Sequence, residues 1–230
     1  MQRAPAVFLS EIFEQSAFYL ALLERTDERT ATLGGNDNSK NALIMSAFET
    51  ASDTQTATVR GSTPLIVISS RTGNTLMLAH AICDAWPGSV LMKPEDLPED
   101  LSPYNPVLLG FWCDRGMAPE DMQQAAKRFE GKRIGCFATM GGNPDDEKSK
   151  DWMRRTSEEL VASGRDNTLV ETFLCRGRID PELFARMTAA LGGTVSPERE
   201  ARRQAAETHP DRLDLSRGVE IFRSVFGANW

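Results

Sequence analysis

"LIVISSRTGNT", residues 65–75, runs four bulky apolar residues into two serines and then into Arg71-Thr72-Gly73-Asn74-Thr75. The apolar run reads as a strand buried on both faces. In an open α/β sheet, ligands sit beyond the carboxyl ends of the strands, where strand order reverses. Ser69 to Thr75 is expected to occupy that turn after the first strand and to open a helix. A helix start offers unpaired N–H groups and partial positive charge. Gly73 lets the backbone approach an anion closely. Ser70, Thr72 and Thr75 supply hydroxyl donors, and Asn74 adds an amide. An ordinary helix cap needs one such hydroxyl. Three of them with a glycine and an asparagine describe an anion cradle that needs no lysine. The stretch lacks both the GxxxxGK[ST] pattern of a Walker loop and the GxGxxG dinucleotide turn.

Regular elements extend outward from this turn. A helix is expected over 75–86, with Leu76, Ala79, Ile82 and Cys83 on one face. Strands follow over 89–93, 106–112, 132–140 and 168–177. Helices are expected over 119–130, 145–164 and 181–192, and a last one after His209-Pro210. Pro119, Glu120 and Asp121 suit a helix start, and Gly164 suits a helix end. The acidic run Asp145-Asp146-Glu147 is accounted for by the helix dipole. Neither histidine has an acid–base constellation: His80 reads as a packing residue, and His209 as part of a helix cap. Strands alternating with helices imply right-handed crossovers and an α/β fold. The fold expected is a five-stranded parallel doubly wound sheet with an N-terminal extension and a C-terminal helix.

Residues 1–60 differ in kind. Val7, Phe8, Ile12, Phe13, Leu20 and Leu23 recur at helical spacing. Residues 26–41 and 49–63 are polar, with the composition of linkers. A helical and disordered extension is expected over 1–60, with Met45 as an alternative natural start, and one domain over 61–230. Glu11 and Glu14 interrupt the apolar segment, so it reads as an amphipathic helix and not as a signal peptide.

The chain of 230 residues is 40% hydrophobic and 26% charged, enough for a sizeable core. A net charge of −7 argues against general nucleic-acid binding. No uncharged apolar window is long enough to span a membrane. Cys83, Cys113, Cys136 and Cys175 show no CxxC spacing, which argues against a zinc site and suits a reducing, cytoplasmic setting.

Ser70-Arg71-Thr72-Gly73-Asn74-Thr75 resembles the phosphate loop of the flavodoxin family, [ST]-x-T-G-x-T, placed as there between a buried strand and a helix. The resemblance implies the strand order 2-1-3-4-5 with flavin mononucleotide (FMN) at the switch point. It also assigns the ring-binding loops to 111–119 and 138–146. Trp112, Cys113, Asp114, Arg115 and Gly116 lie in the first; Thr139, Met140, Gly141 and Gly142 lie in the second. Trp112 would stack on the ring or line its edge, and Gly116 would permit a peptide flip toward it. Arg115 would stabilise a reduced, anionic flavin or an acidic substrate. The second loop lacks the aromatic that many members place there, and Met140 stands in its position. "GFWCDRGMAPED" (110–121), "GCFATMGGNPD" (135–145), "FLCRGRID" (173–180) and "HPDRLDL" (209–215) resemble a branch associated with bilirubin reduction in gut bacteria. The expected role is electron transfer to a partner oxidoreductase. Two other readings stand beside it: a reductase using NAD(P)H on a small acceptor, and a binding module with a vestigial pocket.

Overall fold

The computed structural model describes residues 62–190 and 192–227. The extension expected over 1–60, and Met45 within it, lie outside the described residues. The elements are β1 (Thr63–Ile68), α1 (Asn74–Ala85), β2 (Val90–Met92), β3 (Tyr104–Trp112), α2 (Glu120–Ala126), β4 (Arg133–Met140), α3 (Glu147–Ser163), β5 (Thr168–Arg176), α4 (Pro181–Ala190), α5 (Pro197–Ala206) and α6 (Arg212–Phe226). The five strands are all parallel, in the order β2-β1-β3-β4-β5. This is the expected doubly wound sheet.

Alternation along the strands divides the core into two layers. Leu65 and Val67 of β1, Val107 and Leu109 of β3, and Ile134, Cys136 and Ala138 of β4 pack with Met122 of α2 and with Trp152 and Leu160 of α3. The other face buries Ile66, Leu108 and Phe137 fully, and α1 and α6 supply the similarly buried Leu78, Ile82 and Phe222. Close approach there depends on small residues. A β-carbon at Gly218 of α6 would come within 2.6 Å of Leu78, and one at Gly135 within 2.6 Å of Leu108. Trp86 and Phe226 stack at 5.2 Å and close this layer. Burying each large side chain contributes about 1.5–3 kcal/mol.

Two differences from expectation have local causes. Helix α2 stops at Ala126, four residues short of the patterned segment. The chain there turns to meet the end of α3: Arg165 N–H donates to Phe129 O (3.1 Å) and Gly131 N–H to Arg165 O (2.9 Å). Helix α5 was not expected at all. Ser196 caps it by accepting from Arg199 N–H, and Pro197 occupies its first turn. At the start of α6 the cap residue is Asp211, and His209 joins the cap through Asp214, as expected of it. Asp211 accepts from Leu213 and Asp214 N–H, while Asp214 accepts from Asp211 N–H and binds His209 Nδ1 at 2.5 Å.

Candidate functional site

The loop after β1 begins with a register contact: Ser69 N–H donates to Gly110 O at 2.9 Å, and Ser69 Oγ–H to Asp121 at 2.7 Å. Ser70 Oγ then accepts from Leu76 N–H at 3.3 Å, so this serine closes the first turn of α1. Gly73 precedes the helix at φ +87°, a left-handed conformation open to glycine and strained for other residues. No atom lies within 4 Å of where its β-carbon would stand. The helix ladder starts with Met77 N–H donating to Gly73 O. Among the described residues, nothing accepts from the backbone N–H groups of residues 71–75. Unpaired donors beside open space at a helix start are the chemistry that an anion requires.

The side chains of this loop divide their tasks. Thr72 Oγ1 accepts from Asn74 Nδ2 at 3.2 Å, which leaves the Thr72 hydroxyl hydrogen free to donate outward. The Asn74 amide also donates to Arg178 O at 2.8 Å and so ties the loop after β5 to the cradle. Thr75 is buried, and its hydroxyl meets Thr139 Oγ1 at 2.8 Å, linking α1 to β4. The Arg71 guanidinium lies 5.6 Å from the centre of the Trp112 ring and covers one of its faces.

A cleft of about 310 Å3 opens at the carboxyl ends of β1, β3, β4 and β5. Of the residues singled out by sequence, Arg71, Thr72, Asn74, Trp112, Cys113, Thr139, Met140, Gly141 and Gly142 line it. Asp114, Arg115 and Gly116 instead form a tight turn beside it. Asp114 and Met117 exchange 2.9 Å backbone hydrogen bonds, with φ +51° at Arg115 and +86° at Gly116. The Gly116 carbonyl accepts from Trp152 Nε1 at 2.9 Å, so rotation of that peptide would break a bond to α3.

Sequence reasoning missed the other wall. Gly177, Arg178, Ile179 and Asp180 follow β5; Leu183, Phe184 and Met187 come from α4, and Arg199 and Arg202 from α5. The stretch 173–180 carries a family resemblance but no local pattern that marks a site. The two walls are pressed together. Gly177 N–H donates to Met140 O at 2.9 Å, a β-carbon on Gly141 would meet Ile179 at 2.7 Å, and one on Gly177 would meet Asn74 at 2.9 Å. Four arginines and one carboxylate line the cleft, which makes it cationic within an acidic protein. That carboxylate, Asp180, accepts from Leu183 N–H at 2.8 Å.

The thiols differ sharply. Burial pushes Cys136 up to about 12, and it raises Cys175 as well. Cys83 and Cys113 are half-buried, and desolvation raises them too. The thiolate is the reactive form, so raised values slow modification. At pH 8 a disulfide reagent is expected to label Cys83 and Cys113 in the native protein and all four thiols after unfolding. Native labelling of Cys136 or Cys175, located by peptide mass mapping, would contradict the packing.

A family model agrees with this architecture. Residues 65–223 match the model of the flavodoxin domain. A flavodoxin-like domain-containing protein, BilS of Clostridioides difficile (strain CD3), is 27% identical over 175 residues, covering 72% of this chain and 94% of that protein. Among solved structures, oxidised Flavodoxin 2 from Bacillus cereus is 17% identical with a TM-score of 0.48, covering 73% of this chain and 99% of the other. Two-electron reduced Megasphaera elsdenii flavodoxin is 21% identical with a TM-score of 0.40, covering 62% and 97%. Among the described residues no helix is long and apolar enough to cross a membrane.

Proposed function

The chain belongs to the flavodoxin domain family and is a flavodoxin-type flavin-binding redox protein, and from that premise we propose that it holds FMN non-covalently and passes electrons to a partner oxidoreductase. The observation that carries this reading is the set of unpaired N–H groups at residues 71–75 opening onto a cleft. The phosphate is held there by those amides, by the Thr72 hydroxyl and by the positive end of α1. Trp112 and Met140 contribute the apolar surface for the ring. When bound, the flavin supplies the redox chemistry, and the protein supplies position and electrostatics. The cationic lining favours negative charge in the cleft. The role extends to an electron-transfer step in reduction of a tetrapyrrole such as bilirubin; the four stretches quoted above support it.

Purified protein mixed with FMN and desalted is expected to keep a flavin absorbance spectrum. It should consume little NAD(P)H by itself; rapid turnover with a small acceptor would favour a reductase instead. Thr72→Ala removes one outward donor to a charged group, worth about 1.5–3 kcal/mol, so FMN should bind at least about tenfold more weakly. Thr75→Ala should act mainly on stability, because its hydroxyl bonds Thr139. Unchanged FMN affinity in Thr72→Ala, measured by fluorescence titration, would count against the loop assignment.

A further inference from the structure

Helix α5 brings to the cleft more positive charge than one phosphate requires. Helix α5 carries Arg199, Arg202 and Arg203. Arg203 is neutralised by Glu200 at 2.8 Å and Glu207 at 3.0 Å. Arg199 and Arg202 form no ion pair among the described residues, and both line the cleft. They stand three residues apart, on one face of the helix, where like charges repel. Arg199 lies 5.2 Å from the centre of the Phe184 ring, which holds its guanidinium toward α4. Beside them Leu183, Phe184 and Met187 present an apolar surface, and Met187 is 49% exposed.

Resting on the flavin assignment above, which takes the phosphate to the Thr72 end, we infer that this outer wall is a second binding subsite for an apolar organic carboxylate. The carboxylate pairs with Arg199 and Arg202, and the apolar body lies on Leu183, Phe184 and Met187. Arginine suits this task because its planar fork matches a carboxylate. An exposed methionine beside an aromatic ring adapts to varied apolar shapes. A polar phosphate ligand would match the arginines but would leave the apolar wall uncovered.

The test uses the full chain saturated with FMN and titrated calorimetrically with 2-naphthoate, with uncharged 2-naphthamide, and with 2′,5′-ADP. Naphthoate is expected to bind, and the amide to bind at least about tenfold more weakly. Arg199→Gln combined with Arg202→Gln should lower naphthoate binding to the level of the amide. Three results would overturn the subsite: no naphthoate binding, equal binding of acid and amide, or tighter binding of 2′,5′-ADP. Undiminished naphthoate binding by the double variant would overturn it as well. The comparison of acid with amide needs no variant, so it decides even if the double variant misfolds. Failure to retain flavin absorbance after desalting is a separate result; it sinks the cofactor reading and the inference built on it.

Discussion

Replacing Gly164 by alanine is expected to lower the stability of the domain by about 2–4 kcal/mol, one of the two largest effects of any single change considered. Gly164 follows α3 at φ −88°, a conformation that any residue adopts. Space, and not backbone freedom, is what requires glycine. A β-carbon there would fall 2.4 Å from Phe129 O and 2.9 Å from Ala126 O, both main-chain atoms that cannot rotate away. It would also fall 2.5 Å from Asn167 Nδ2, whose hydrogen bond to Phe129 O would have to lengthen. The same Asn167 side chain accepts from Lys132 N–H, at the entry to β4. The strain therefore falls on the junction where α2, β4, α3 and β5 meet. With flavin concentration held constant, the midpoint of thermal unfolding should fall by about 5–15 °C. Gly192→Ala is the control: its φ is +92° and its surroundings are open, so it tests backbone strain without a clash. A Gly164→Ala midpoint within about 2 °C of the parent would show that the junction is looser than described.

That glycine marks where sequence reading stops. The residue was visible as a helix end, but its reason lies in carbonyls about 35 positions earlier in the chain. The same division runs through the site. Residues 65–75 were legible because their pattern is local: a buried strand, a glycine and a helix start. The loops after β3 and β4 were assigned through the family resemblance; Trp112, Cys113 and residues 139–142 line the cleft, whereas Asp114, Arg115 and Gly116 turn beside it. The opposite wall depends on contacts such as Asn74 with Arg178, 104 residues apart, which no local pattern encodes. Helix α5 escaped for another reason. "PEREARRQAA" has no apolar periodicity, and its order comes from a Ser196 cap and the Arg203 ion pairs. The signal was present in Ser196-Pro197-Glu198, a cap followed by proline and acid. Asp211 and Asp214, three apart, are likewise a readable capping pair.

Replacing Gly73 by valine is expected to weaken FMN binding by about 100-fold or more, equivalent to about 2.7 kcal/mol. Two effects add. At φ +87° a β-branched side chain is strained, so the loop relaxes toward negative φ and carries its neighbouring N–H groups away from their common focus. The new side chain also projects into the space that no protein atom fills. Gly73→Ala separates the two, because it keeps most of the backbone strain while adding little bulk. The order expected for FMN affinity is parent, then alanine, then valine. The flavin-free protein should lose only about 1–3 kcal/mol of stability in either variant, since Gly73 joins the ladder of α1 only through its carbonyl and no atom crowds its β-carbon position. Affinity is read by quenching of flavin fluorescence, and stability by denaturant unfolding of the flavin-free chain. A valine variant that binds FMN within about threefold of the parent would mean that the phosphate does not lie over these amides. In that event the positive charge gathered by Arg178, Arg199 and Arg202 on the facing wall would be the place to look for it.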